Sequence, residues 1–347
     1  MAKKRDYVVR VNGGAKRGAS HYQYSYASTK GIKLDLGPRS ATISMSLWSR
    51  KSASDFGSTG CRLYDDSLYK TSMAWLLRYG RIVPIQSITV QVGDDPETVV
   101  YDVGKPGGGR PPFSALSFSG KVDLPEEFRS EHVMSTILSI SRTKVSHRMA
   151  ALNALLLAKM KSDKSGVSDI VERFSNSWTS LNGYYNFVAY RARPSARLSD
   201  RDKMGISLRL HGLGNCAVMQ KHGAQLARVA IQAMDAASTP DGLATPDAEL
   251  QLALLSAKIG AFTLGDGTKP YESLELYGYL LFCLPYYFRC QLLHGEKPLP
   301  LFVYETDERV WCLPLLSDLI VDFLDKNLWK LFDSSELDAI DQWAQGL

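Results

Sequence analysis

The chain has 347 residues, of which 45% are apolar and 22% charged, an ordinary balance for a globular protein and long enough that two cores are expected. Its formal net charge is +5; the apolar runs Leu274–Leu284 and Leu313–Leu324 are broken by polar residues and fall short of the roughly 18 apolar residues of a membrane span. Five cysteines, Cys61, Cys216, Cys283, Cys290 and Cys312, are odd in number and contain no Cys-x2-Cys pair, which argues against structural zinc and a disulfide framework and fits a reducing cytoplasm.

The N-terminal stretch Met1-Ala2-Lys3-Lys4-Arg5-Asp6 carries charge with no apolar segment after it, so no secretory signal is expected. Tyr7-Val8-Val9-Arg10-Val11 reads as a strand, and Asn12-Gly13-Gly14 after it is a hairpin signal. Ala41 to Trp48 alternates apolar and polar residues as a half-buried strand does. Between them, His21-Tyr22-Gln23-Tyr24-Ser25-Tyr26 lies near Lys16, Arg17 and Lys30. Aromatic residues interleaved with cations suit single-stranded nucleic acid, although tyrosines alternating on a strand against a core explain the pattern more simply. Asp65–Tyr79 predicts a helix, and 88–92 and 98–102 predict strands. The segment 104–112 holds glycines with Lys105 and Arg110 but lacks the Gly-Lys-Ser/Thr ending of a phosphate loop, so it reads as a loop or hinge.

From Leu124-Pro125-Glu126-Glu127 the pattern becomes helical, since proline followed by acidic residues marks a helix start. It runs through Val133, Ile137 and Ile140 to 150–160 as one long or broken helix. Val167, Ile170, Val171, Phe174, Trp178, Leu181, Tyr185 and Val188 recur mostly at three- and four-residue spacing, giving an amphipathic helix with Asn182 at the edge of its apolar face. Residues 191–209 carry six Lys or Arg, among them Arg191, Arg193, Arg197 and Arg201, against two Asp. A basic loop touching RNA phosphates and a solvated loop both account for that segment. Residues 216–237 and 248–262 read as two Ala-rich helices, and Asp266-Gly267 as the turn before a further apolar helix that Pro285 should kink or restart. Pro314 can open a helix reaching about Phe332, and Ser334 or Ser335 can cap a last short one.

Charge is unevenly spread. Residues 1–50 hold ten Lys or Arg against two Asp, and residues 301–347 hold three against ten Asp or Glu. Such polarity fits a nucleic-acid or membrane surface at one end, or two solvated faces that attract across a dimer.

The stretch with the clearest chemistry is Tyr286 to Glu296, in which Arg289 and His294 stand five residues apart and Gly295 follows. Five residues of helix turn through about 140° net and rise about 7.5 Å, so the two side chains do not share a face. They serve one site only if the helix ends between them or a second chain completes it. Gly295 is a good residue for a helix end, which places His294 in a last turn whose dipole favours the protonated imidazole.

Arg289-Cys290-Gln291-Leu292-Leu293-His294-Gly295 resembles the Arg-x4–6-His motif of HEPN-type ribonucleases, and the Apea-like HEPN group in particular. Phe174-Ser175-Asn176-Ser177-Trp178-Thr179-Ser180-Leu181-Asn182-Gly183-Tyr184-Tyr185 is similar to the Phe-x3-Trp-x2-Leu-Asn-x-Leu/Tyr-Tyr signature of that group's first core helix. The resemblance covers roughly the C-terminal half and nothing before about residue 130. Cys290 departs from it, since the family more often has Asn, Asp or His there. The expected fold is α+β: a β-rich domain over 1–122, able to sense or bind a partner, then an all-α HEPN-like bundle over 123–347. The resemblance implies a metal-independent, cofactor-free endoribonuclease in cytoplasmic antiviral defence or a toxin-like stress response. It also implies a homodimer, with an antitoxin or activator as a further partner and no membrane. In that chemistry the ribose 2′-hydroxyl attacks phosphorus and leaves a 2′,3′-cyclic phosphate. His294 serves as general acid or base, Arg289 holds the scissile phosphate, and Cys290 and Asn182 support them. The alternative is a non-catalytic dimeric interaction module whose β domain binds a partner or ligand.

Overall fold

The computed structural model describes residues 3–13, 24–49, 52–57, 62–81, 83–93, 98–102, 122–140, 147–163, 166–194, 196–211, 218, 221–222, 226, 278–293 and 308–346. The chain divides into two units, Met1–Val145 and Ser146–Leu347. The first is built on an antiparallel sheet and the second is helical, so the fold class is α+β.

In the N-terminal unit, strands β1 (Lys3–Asn12), β2 (Tyr24–Ala27), β3 (Lys33–Leu36), β4 (Ser40–Ser49), β5 (Ser87–Val92) and β6 (Thr98–Asp102) form one six-stranded sheet in the order β2-β3-β4-β1-β5-β6. Alternation decides which face is covered. Tyr7, Val9 and Val11 of β1, Leu34 and Leu36 of β3, Ile43 and Met45 of β4, and Ile88, Val90 and Val92 of β5 are all buried. Helix α1 (Arg62–Tyr79) packs against β1, β3 and β4 and contributes Met73, Trp75 and Leu77 to the same core. The Trp75 indole N–H donates to the Gly37 carbonyl at 3.0 Å, which lets its polar atom be buried with the ring.

The Asn-Gly hairpin expected after β1 does not form there. β1 is the central strand and pairs with β4 and β5, while β2 pairs only with β3. Gly13 serves close approach instead: its N–H donates to the Arg39 carbonyl at 2.7 Å, and a Cβ at this position would lie 2.2 Å from Val83 Cγ1. Tyr26 is buried, and the Arg78 guanidinium lies 3.6 Å from the centre of the Tyr24 ring. Those two tyrosines are therefore packed against the fold, as the core reading of that stretch required.

Residues 122–140 belong with the sheet. The Val122 N–H donates to the Gly80 carbonyl at 2.6 Å, and the Ser135 hydroxyl to the Ala27 carbonyl at 2.6 Å. The division between units accordingly falls at 145/146, where the sequence suggested 122/123. Pro125 precedes only a 3-10 turn, Glu126–Arg129. Helix α2 (Glu131–Ser139) starts under Ser130, whose hydroxyl accepts from the Val133 N–H at 3.3 Å. It ends at Ser139, with Ile140 extended, so the long helical pattern is broken before helix α3 (His147–Met160).

The helical unit is arranged around α4 (Val167–Ala192), which packs against α3, α5 (Asp200–His211), α6 (Leu284–Leu293), α7 (Glu308–Asn327) and α8 (Ser334–Gln345). Gly183 lets α4 and α3 touch, since a Cβ there would lie 2.7 Å from the His147 carbonyl oxygen. The Ser180 hydroxyl donates to the Ala151 carbonyl at 2.7 Å across the same contact. Two C-terminal expectations shift. Pro314 lies inside α7, where it removes one backbone donor from the helix ladder. The cap of α8 is Asp333, whose carboxylate accepts from the backbone N–H groups of Ser335 (2.9 Å) and Glu336 (3.4 Å).

The acidic C-terminal stretch meets cations within its own unit. Asp318 pairs with Arg173 at 2.7 Å, Asp325 with Lys159 at 2.6 Å, and Asp341 with Arg191 at 2.7 Å. Each is partly exposed and worth at most about 1 kcal/mol. Together they tie α7 and α8 to α3 and α4, so three of those acidic residues are structural pairs and not a free face.

Candidate functional site

The two stretches that resemble the HEPN signatures lie on α4 and α6, more than a hundred positions apart in the chain, and the fold packs them together. Trp178, Asn182 and Tyr185 recur at i, i+4 and i+7 and so share one stripe of α4. From α6, Tyr286 meets that stripe: its ring centre is 5.8 Å from that of Trp178, at an edge-on angle. Trp178 in turn lies 6.3 Å from Tyr185, and Tyr185 lies 6.2 Å from Phe282. Phe323 of α7 closes the cluster at 6.1 Å from Phe282 and 5.4 Å from Tyr184. Edge-to-face contacts of this kind fix ring orientation as well as burying area.

The start of α6 is set by its proline. Pro285 has no N–H, and its ring would strike the carbonyl four residues earlier in a regular helix. The backbone widens into a π-helical turn over Tyr279–Cys283 and resumes α-helical geometry at Leu284. Gly278, just before that turn, admits Leu208 of α5, whose Cδ2 would lie 2.2 Å from a Cβ there.

One turn after Tyr286 stands Arg289, half-buried. Its guanidinium Nη1 lies 3.9 Å from the Cys290 Sγ, a weak N–H···S contact. Among the described residues no carboxylate pairs with Arg289. This distinguishes it from Arg173 and Arg191 in the same unit, each of which is 2.7 Å from an aspartate oxygen. Cys290 is only 2% exposed, so its thiol faces the interior and Arg289 rather than solvent. His294 lies outside the described residues, which end at 293 in this segment.

Asn182 makes no hydrogen bond to Arg289 among the described residues. Its side-chain and main-chain oxygens both accept from the Asn186 carboxamide, the latter at 2.9 Å. Tyr185, which the sequence placed on the apolar face of α4 and at the end of the signature stretch, was not among the expected site residues. It is fully buried, and its hydroxyl has no hydrogen-bond partner among the described residues. Burial, then Asp200 and Tyr286, hold its phenol above the ordinary range, partly offset by Arg289, so the group beside the arginine stays neutral. The one hint in the sequence is the double tyrosine after Leu181-Asn182-Gly183.

The basic segment is more structured than the expected loop. Only residues 193–199 separate α4 from α5. Ser199 and Asp202 form a capping box: the Asp202 N–H donates to the Ser199 hydroxyl and the Ser199 N–H to the Asp202 carboxylate, each at 3.2 Å. Arg191 is partly exposed and pairs with Asp341 of α8 at 2.7 Å. Arg193 and Arg197 are exposed, and the side chain of Arg201 lies outside the described residues. The glycine-rich segment 104–112 and the helices expected at 248–262 also lie outside them, as does nearly all of 216–237. Among the described residues no three His, Cys, Asp or Glu side chains cluster as a metal ion requires, and no helix is long and apolar enough to cross a membrane.

No protein-family model matches the chain, and no curated protein or solved structure matches it either.

Proposed function

We propose that the helical unit is a metal-independent endoribonuclease of HEPN type, acting in cytoplasmic defence or stress response as a homodimer held in check or switched on by a partner protein. The observation that carries this reading is Arg289. It is a half-buried guanidinium, set by an aromatic cluster and lacking a carboxylate partner among the described residues. A cation withdrawn from water in this way gains most from an incoming anion, and its planar fork suits a phosphodiester. In the proposed reaction Arg289 holds the scissile phosphate and offsets its growing charge. His294 moves the proton of the attacking 2′-hydroxyl or of the leaving 5′-oxygen.

Labelled RNA incubated in EDTA tests the reading. Wild type should cut it and leave cyclic phosphate ends. His294→Ala should lose about a hundred- to ten-thousand-fold in rate. Arg289→Lys should also be poorly active, since an ammonium keeps the charge and loses the two-pronged contact. A folded His294→Ala protein that cuts at the wild-type rate would refute the assignment.

The competing reading is a non-catalytic dimeric module. The burial of Cys290 favours it, because the family more often carries a polar side chain at that position.

A further inference from the structure

The covered face of the N-terminal sheet is an ordinary apolar core; the opposite face has an unusual composition. Residues that point outward from β4 are Ser40, Thr42, Ser44, Ser46 and Trp48, four small hydroxyl side chains followed by a tryptophan that is 75% exposed. The register places this row beside Lys4, Asp6, Val8, Arg10 and Asn12 of β1, with Lys4 directly across from Trp48 and Arg10 across from Thr42. Lys33 of β3 lies across from Ser44 on the other side. A solvated antiparallel face usually carries long polar side chains. This one is low along β4, with one large aromatic ring standing at its end.

An isolated exposed tryptophan needs no explanation. Here the charges around it give one. The face carries three cations, Lys4, Arg10 and Lys33, all exposed and none in an ion pair among the described residues. Two of its carboxylates are occupied by serines across a strand pair: Ser46 donates to Asp6, and Ser25 donates to Asp35 at 2.6 Å; a third, Asp102 on the far edge strand β6, is in register with Ser87 and Asn12. Lys4 and Arg10 are separated by six residues of β1, about 20 Å, and Lys33 stands two strands from β1, about 10 Å away. This spread suits an extended chain of negative charge better than a single small anion. A ring free to stack, beside cations spaced along a surface, is the chemistry that holds single-stranded nucleic acid without reading its sequence.

We propose that the outer face of the N-terminal sheet is a docking surface for single-stranded RNA, with a base on Trp48 and phosphates at Lys4, Arg10 and Lys33. The choice of RNA over DNA rests on the nuclease reading of the helical unit; the surface itself does not. The test is fluorescence anisotropy of the full chain with a labelled, 2′-O-methylated single-stranded RNA, which cannot be cleaved by 2′-hydroxyl attack. Binding therefore reads out separately from any ribonuclease activity.

Trp48→Ala should bind roughly 5- to 150-fold more weakly, the range for removing one stacking platform. The triple variant Lys4→Ala, Arg10→Ala, Lys33→Ala should flatten the dependence of log affinity on log salt by about 2, since each phosphate contact on a single strand contributes about 0.7. All four positions are solvent-exposed, so thermal unfolding should be unchanged, and Trp48→Phe should restore most of the affinity. Three results would overturn the proposal: no binding by wild type, binding unaltered by both face variants, or loss only when Arg193 and Arg197 are replaced. A concentration-dependent dimer that Trp48→Ala dissolves, without any RNA binding, would overturn it in favour of a second copy of the chain on this face. Cleavage lost in His294→Ala with the face variants still binding like wild type would leave the nuclease reading standing and remove this one.

Discussion

Tyr185→Phe removes one atom from the centre of the candidate site, and the structure fixes the sign of its effect. The ring is fully buried and keeps its contacts with Trp178 and Phe282, at 6.3 and 6.2 Å, whether or not the hydroxyl is present. The hydroxyl itself has no hydrogen-bond partner among the described residues. An unsatisfied polar group of this kind costs about 1–3 kcal/mol of desolvation, and nothing is recovered in the folded state. Deleting it should stabilise the helical unit by about 1 kcal/mol, at the low end of that range because a small void replaces the oxygen. For a unit of about 200 residues this raises the melting temperature by about 2–4 °C. Urea denaturation followed by tryptophan fluorescence checks it: the midpoint should rise with an unchanged slope. A loss of about 1 kcal/mol or more would show that the hydroxyl has an acceptor. The account of Arg289 as standing beside a neutral, unengaged phenol would then fail.

Gly183→Ala puts a methyl 2.7 Å from the His147 carbonyl oxygen and 3.0 Å from the Ala151 Cβ. The backbone of α3 must move, so overpacking of about 1–3 kcal/mol should outweigh a helix-propensity gain of about 1 kcal/mol and lower the denaturation midpoint; a higher midpoint would refute the tight α3–α4 contact. Tyr79 has its phenol pushed up to about 12, chiefly by burial and then by Tyr24 and Tyr26. Above pH 10 the unfolded chain releases this proton while the folded one keeps it. Stability of the N-terminal unit should therefore fall as pH rises from about 10 to 12, and a Tyr79→Phe protein should show a shallower fall in denaturation midpoint across that window.

What could be read from the sequence was what periodicity controls. The three- and four-residue spacing from Val167 to Val188 became α4, and the alternation from Ala41 to Trp48 became β4. Partners were not legible, because pairing depends on surfaces that meet only after folding. Asn12-Gly13 looked like a local hairpin, yet β1 pairs with strands far along the chain, and Gly13 is needed where Val83 crowds it. Net charge by segment misled in the same way. The acidic C-terminal residues looked like a free face until Asp318, Asp325 and Asp341 were seen against Arg173, Lys159 and Arg191. The partner of Arg191 was equally hidden, since its aspartate lies on a helix 150 positions away. The π turn before Pro285 was legible only as a break, since the proline dictates that the helix must adjust and leaves open how.

The orientation of α6 bears on how an Arg/His pair could work. Arg289 follows Tyr286 by three residues, so both lie on the side of α6 that meets Trp178 of α4. On a helix continuing without interruption, His294 would be turned about 140° from Arg289, away from that side. One copy of the chain would then offer the phosphate-holding cation and the proton-transferring imidazole to different surroundings. On the proposed nuclease reading, two copies related by a two-fold axis resolve this, because such an interface brings residue i of one copy to residue j of the other and repeats the contact in reverse. Each composite site would take Arg289 from one chain and His294 from its partner. The aromatic cluster then acquires a purpose beyond packing: by holding α6 at a fixed rotation against α4, it fixes which face is left for the second copy.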